Sequence, residues 1–338
     1  MITTILPTDK CNLNCSYCIS RKGNNEMSTK TLYNAIDFVS NVHTAEGNTG
    51  HIEWHAAEPM MMPISFYEAA EERFKYNNCT IERMLCSNMT LANEDWFNFI
   101  KKHNYAISTS LDGDIFITDE ICGKGTFEKI IKSFSRMRKL DIGFGVICVI
   151  SKYSCLHADE IYPFFKHALP KIKINIVTPN TFQKETTAAF IKIFDDWFSD
   201  ENKITVDPFD DMVNFIEGEH FEKRCYVDCN KFVVCVDSFG NVYPCESFVI
   251  DDDTSEYILG NVNEQPWQEI WTGEKRKAFL KNQAVLSDEC FCCRYLEYCG
   301  GGCNADSMLY GPKDTRKASC CEVIKPLMDH IASKIGAS

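Results

Sequence analysis

Apolar positions follow two alternating rhythms through the first half of the chain. Short runs rich in β-branched residues read as strands, and longer stretches with apolar residues three or four apart read as helices. Ile2 to Leu6 is an apolar start, followed by a loop and then a helical pattern from Thr29 to about Val42. The alternation repeats as strand His51 to His55, helix Ile64 to Tyr76, strand Ile81 to Cys86 and helix Glu94 to His103. It continues with strand Tyr105 to Leu111, helix Phe127 to Leu140, strand Ile142 to Ile150, helix Ala158 to Ala168 and strand Ile172 to Val177. Strands separated by helices imply parallel βα units with right-handed crossovers. The prediction is an α/β fold, a partial (β/α)6 TIM-like barrel, with its chemistry in the loops at the C-terminal strand ends.

Thr186 to Phe198 and Pro208 to Glu217 read as further helices. Beyond Phe221 the apolar rhythm gives way to crowded cysteines. Phe232 to Val236 and Asn241 to Tyr243, joined through Ser238-Phe239-Gly240, read as a β-hairpin with a glycine turn. The expected division is a barrel over 1–185, a helical bridge over 186–220, and a cysteine-rich domain with a C-terminal helix over 221–338.

Composition narrows the function. A chain of 338 residues with 45% hydrophobic content can bury a full core. Its net charge of −13 repels phosphate backbones and anionic membrane surfaces, so neither nucleic acid nor membrane is an expected partner. Met1-Ile2-Thr3-Thr4 does not open a signal-peptide pattern, and no run of about 18 apolar residues follows. The expected compartment is the cytoplasm. There, nineteen cysteines are poorly explained by disulfides, and an odd number cannot pair completely. Metal-bound thiolates are the reading that remains.

Cys11-x3-Cys15-x2-Cys18 follows the first strand, where a βα barrel places catalytic groups. Three thiolates can hold three irons of a four-iron cluster and leave the fourth open to a small molecule, whereas a closed structural site wants four ligands. This spacing, with Tyr17 before the third cysteine, resembles the signature of the radical S-adenosylmethionine (SAM) superfamily. The resemblance implies that the amine and carboxylate of SAM chelate the open iron. Reductive cleavage then gives a 5′-deoxyadenosyl radical, which takes a hydrogen atom from substrate.

Other motifs extend the likeness. Trp54-His55-Ala56-Ala57-Glu58-Pro59 resembles the superfamily's Gly-Gly-Glu-Pro segment, which implies SAM-amine contacts from Ala56, Ala57 and the Glu58 carboxylate. The two alanine methyl groups call for ordinary backbone angles. Ser87-Asn88-Met89-Thr90 resembles Thr-Asn-Gly-Thr, with Asn88 at the cofactor, and Ser110-Leu111-Asp112-Gly113 resembles Ser-Leu-Asp-Gly. Ser110 is then expected at the polar part of SAM and Asp112 at the substrate.

Cys290-x2-Cys293-x5-Cys299-x3-Cys303, with Gly300-Gly301-Gly302 inside it, resembles the SPASM extension of peptide-modifying radical enzymes, as does Gly240-x4-Cys245 upstream. The likeness implies two auxiliary clusters, one on Cys225, Cys229, Cys245 and Cys303, the other on Cys290, Cys293, Cys299 and Cys321. Cys235 competes with Cys225, and Cys320 with Cys321. Three 4Fe–4S clusters and SAM are thus the expected cofactors, with an electron donor such as flavodoxin or ferredoxin. Glu246 stands where sulfatase-maturing relatives carry an aspartate base.

These resemblances imply a peptide- or protein-modifying enzyme. With glutamate in place of aspartate, oxidative cross-linking of a ribosomally made precursor peptide, as a cyclophane or thioether, ranks ahead of formylglycine formation in a sulfatase. A dehydrogenase or epimerase acting on a sugar or aminocyclitol is a further alternative.

Overall fold

The computed structural model describes residues 2–47, 50–55, 57–221, 229–249, 252–281, 285–311 and 315–336. The first strand, β1 (Ile2–Ile5), lies in the middle of a ten-stranded sheet. To one side follow β2 (Gly50–Trp54), β3 (Ile81–Cys86), β4 (Ala106–Ser110), β5 (Phe144–Ile150), β6 (Lys171–Ile176) and β7 (Thr205–Asp207), all in parallel. To the other side β8 (Val233–Val236) pairs with β1, also in parallel, and β9 (Asn241–Tyr243) and β10 (Gly260–Asn261) continue antiparallel. The barrel is therefore open, with β7 and β10 at the two ends of the strand order.

The parallel run is longer than the six strands that periodicity predicts. β7 has only three residues, too few for alternation to register, and it falls inside the bridge expected over 186–220. β8 joins because its apolar residues lie against β1 in register, Ile2 opposite Val233 through Ile5 opposite Val236. One sheet thus runs from the barrel into the cysteine-rich segment.

Local chemistry sets the helix ends. Ser28 caps α1 (Thr29–Ala45) by accepting from Thr31 N, and Asn93 caps α3 (Glu94–His103) by accepting from Trp96 N. Between them, α2 (Ile64–Tyr76) packs on both. Asp114 caps α4 (Ile115–Cys122), a helix absent from the sequence-based prediction, by accepting from Phe116 and Ile117 N. Next come α5 (Thr126–Lys139), α6 (Ala158–Ala168), α7 (Gln183–Phe198) and α8 (Phe209–Glu217). The helix Cys321–Lys334 packs against α7 and α8.

On β2, alternation separates two faces. Ile52 and Trp54 are wholly buried, and Trp54 meets Phe66 and Tyr67 edge to face while its indole N–H donates to Tyr105. His51, Glu53 and His55 occupy the alternate, partly exposed positions that face the barrel's concave side. The core is on the helix side, and the polar groups are left for the site. Among the described residues, no helix is long and apolar enough to cross a membrane.

A chain ended after Phe221 lacks β8 and leaves one edge of β1 unpaired, which invites intermolecular strand addition. The truncated chain is expected to associate in sedimentation velocity under conditions where the full chain is monodisperse. Equal behaviour of the two would contradict a closing role for β8.

Candidate radical site

The loop carrying the first cysteines is closed at its base. Thr8 Oγ1 donates to Asn25 O at 2.7 Å, and Met27 N donates to Pro7 O at 2.8 Å. Asp9 accepts from both the backbone and the side-chain nitrogen of Asn25, each at 2.6 Å. Gly23 must come close to the same carboxylate, since a Cβ there would lie 2.6 Å from Asp9 Oδ2. Cys11 and Cys15, half-buried, and exposed Cys18 lie on the loop so held.

Three side chains named by the motifs brace this loop. Glu58, at 0% exposure, accepts from Met60 N, Ser87 Oγ and Asn88 N, each at 2.8 Å, while its own N–H donates to Lys10 O at 2.9 Å. Burial raises its pKa against the effect of these donors. Its carboxylate therefore ties the loops after β2 and β3 together, where the sequence led us to place it on the SAM amine. Asn88 Nδ2 donates to Asn12 Oδ1 at 3.1 Å, and Asn12 in turn donates to Thr90 Oγ1 at 2.8 Å, which joins the β3 loop to the residue after Cys11.

Asp112 is 1% exposed, and its oxygens accept from Tyr17 Oη at 3.1 Å and from Val149 N at 3.0 Å. Burial pushes its pKa up to about 6. Through these contacts Asp112 is a buried anchor for the cysteine loop. Ser110 is exposed at the end of β4. Ala57 has a left-handed backbone, φ +44°, so alanine takes the glycine-like angle that its methyl group was expected to forbid. Ala56 lies outside the described residues.

Across the strand order, Glu246 begins the short 3-10 turn Glu246–Phe248 directly after Cys245. Its Oε2 lies 3.0 Å from His55 Nδ1, and both side chains are 40% exposed, so water partly screens the pair. Burial alone pushes His55 down, but the Glu246 carboxylate, with Glu53 and Glu58 behind it, lifts it to about 9. The same pairing overcomes the burial of Glu246 and holds its carboxyl below the usual range. At neutral pH this is an ion pair. It opens on a cleft of about 150 Å³ lined by Asp9, Arg21, His55, Asp237, Ser238 and Glu246, among others. His55 was not singled out from sequence, although its place in the alternation of β2 marks it as inward-facing.

The C-terminal cysteines fall into two groups. Cys245 and Cys303 pack on a small core of Leu6, Cys235, Tyr243 and Phe248, in which Cys235 is 0% exposed. Cys229 begins the turn that leads into β8, and Cys225 lies outside the described residues. Burial pushes the Cys299 thiol up to about 11, with further upward contributions from Cys321, Cys290 and Cys293, which places these four together. The glycine run serves this packing: at Gly302, φ +81°, a Cβ would come within 2.3 Å of Ala318 Cβ, just before Cys320 and Cys321.

Residues 5–154 match the radical SAM superfamily, and residues 225–294 match the SPASM iron–sulfur cluster-binding domain. The chain is a radical SAM enzyme with a SPASM domain. It is similar to the cysteine-type anaerobic sulfatase-maturating enzyme of Clostridium novyi strain NT, 27% identical over an alignment of 359 positions that covers 97% of this chain and 94% of that one. Its fold matches native anSMEcpe with bound AdoMet and Cp18Cys peptide, at a TM-score of 0.82 and 23% identity, covering 99% and 97% of the two chains. It also matches Streptococcus suis SuiB bound to precursor peptide SuiA, at a TM-score of 0.68 and 15% identity, covering 94% and 75%.

The cofactors of this radical SAM enzyme are SAM, a 4Fe–4S cluster and the auxiliary iron–sulfur clusters of its SPASM domain. The donor chemistry fits them. Cys11, Cys15 and Cys18 on one loop, and Cys290, Cys293, Cys299 and Cys321 near one another, are free thiols. Such sets suit clusters, which take one thiolate per iron.

Replacing Glu58 by Gln turns an amide donor either toward the Asn88 N–H or toward the Met60 N–H and the Ser87 hydroxyl. The Glu58→Gln variant is expected to lose about 1–3 kcal/mol of stability in chemical denaturation. Unchanged stability would contradict the bracing role.

Proposed function

We propose that this enzyme oxidises a side chain of a peptide or protein substrate, with Glu246 as the base. The observation that carries this is the Glu246–His55 ion pair, which keeps a carboxylate charged in a cleft between the first cysteine loop and the auxiliary cysteine Cys245. Full-length similarity to sulfatase-maturating enzymes supports it.

Cys11, Cys15 and Cys18 would hold the SAM-binding cluster. Cys225, Cys229, Cys245 and Cys303 would hold the first auxiliary cluster, and Cys290, Cys293, Cys299 and Cys321 the second. Electrostatics favour Cys321 over Cys320. After burial, the main influence on Cys320 is the Asp306 carboxylate, which opposes a thiolate, whereas on Cys321 it is the Lys317 ammonium, which supports one. SAM and the first cluster supply the hydrogen-abstracting radical, and the auxiliary clusters supply an exit for one electron. Glu246 accepts the proton that the oxidised side chain sheds, and His55 holds that carboxylate toward the cleft. Asp112 and Glu58 keep the cysteine loop in place. A flavodoxin or ferredoxin in a reducing cytoplasm suits the electron supply.

Formylglycine formation from a cysteine or serine is the outcome that the sulfatase-maturating relatives favour. Cross-linking of a ribosomally made precursor peptide shares the hydrogen abstraction and the later loss of one electron and one proton, and glutamate in place of aspartate favours it. Mass spectrometry of cysteine peptides separates the two: an aldehyde product has lost sulfur, whereas a thioether cross-link keeps it.

With a competent peptide, Glu246→Gln is expected to keep forming 5′-deoxyadenosine while oxidised peptide falls about 10²-fold or more, the range for loss of a general base. Wild-type product yield from this variant would overturn the assignment of Glu246.

A further inference from the structure

Five charged side chains line the cleft at the Glu246–His55 pair: Asp9, Arg21, His55, Asp237 and Glu246. Four of them are already engaged. His55 and Glu246 hold each other, and both oxygens of Asp9 accept from Asn25. Asp237 is 1% exposed; its Oδ1 accepts from Phe239 N and Asn241 N, each at 2.9 Å, and its Oδ2 from Asn241 Nδ2 at 3.1 Å. The Arg21 guanidinium is different. It makes no hydrogen bond or ion pair with any described residue, and it lies against the ring of Phe239, 5.5 Å from Cζ to the centroid.

The surrounding fold holds this half-buried cation in place. Lys22, the next residue, donates its ammonium to Leu13 O at 3.3 Å and Asn14 Oδ1 at 2.8 Å, and Gly23 N donates to Asp9 O at 3.0 Å. Phe239, 48% exposed in the turn between β8 and β9, supports the guanidinium from one face and leaves its N–H groups open. Such a planar fork matches the two oxygens of a carboxylate with two parallel hydrogen bonds, where a lone carbonyl can take only part of it. The acids already in the cleft have their own donors, so an incoming carboxylate displaces no existing pair.

We propose that Arg21 is a specificity-determining residue that binds a carboxylate of the peptide substrate, close in sequence to the residue that Glu246 deprotonates. The inference rests on the reading of this cleft as a peptide site. A volume of about 150 Å³ seats a side chain or two and no long segment, so the carboxylate belongs to a neighbouring acidic residue or to a chain end just beyond the oxidised one. In a chain of net charge −13, preference for an acidic peptide can come only from a local cation, so it depends on Arg21.

The test gives full-length, reconstituted enzyme a pool of N-acetylated, C-amidated cysteine peptides randomised on both sides of the cysteine, and sequences the oxidised products by mass spectrometry. Wild-type product is expected to be enriched in Asp or Glu over Asn or Gln, about tenfold or more, at a position near the cysteine. A second pool with free C-terminal carboxylates separates the two sources: enrichment of peptides that end just after the cysteine, without a side-chain preference, assigns the carboxylate to a chain end. Arg21→Gln should abolish the preference. Arg21→Glu should reverse it toward Lys or Arg, and its product also shows that variant to be folded. No acid preference by the wild type in either pool, or one retained in Arg21→Gln, would overturn the proposal. Failure of the peptide reading has its own signature: the wild type would cleave SAM and oxidise no peptide of either pool, which would remove this inference along with it.

Discussion

Backbone pairing of β8 with β1 joins a strand from the cysteine-rich segment to the first strand of the barrel, in parallel and across four residue pairs. Everything at the candidate site depends on that junction. β1 leads into the loop of Cys11, Cys15 and Cys18, its other neighbour β2 ends one residue before His55, and β8 turns through β9 to Cys245 and Glu246. The parallel strands β1, β2 and β8 carry Leu6, His55 and Asp237 to one edge, and the chain folds back through antiparallel β9 to set Glu246 against His55, so residues more than two hundred positions apart line one cleft. Apolar β8 residues buried at the junction, Val234 and Val236, hold it by burial as well as by hydrogen bonds.

Around that junction, environment divides the acids into two kinds. Glu58 and Asp112 are buried and spend their oxygens on backbone, hydroxyl and phenol donors, so they fix the geometry of the cysteine loop. Glu246 faces the cleft and has a cation as its partner, so it stays charged and accessible. A buried carboxylate with its lone pairs occupied is a poor proton acceptor for an incoming group, whereas an ion-paired one at a cleft wall can serve. The same distinction separates residues that hold the loop from the one that faces the cleft.

Much of this was legible in the sequence, because the signals were either periodic or chemically unusual. The strands and helices through β6 follow from apolar spacing, and the two cysteine groups follow from ligand count and spacing. What was not legible is what periodicity cannot carry. β7 is three residues long, α4 is an eight-residue helix with hardly any polar face, and the β1–β8 pairing is a long-range contact between two short apolar runs. Burial was hidden too: nothing in Ser-Leu-Asp-Gly says that Asp112 points at Tyr17. His55 was overlooked because it acquires its meaning only from Glu246, a partner distant in the chain.

The central claim, that a peptide side chain gives its hydrogen to the radical generated at the first cysteine loop, is open to a direct isotope measurement. The reconstituted, reduced enzyme would be given SAM and a sulfatase-type peptide deuterated at the Cβ of its cysteine. The account predicts deuterium in the 5′-deoxyadenosine in step with oxidised peptide. Oxidised peptide accompanied by 5′-deoxyadenosine free of deuterium would contradict it.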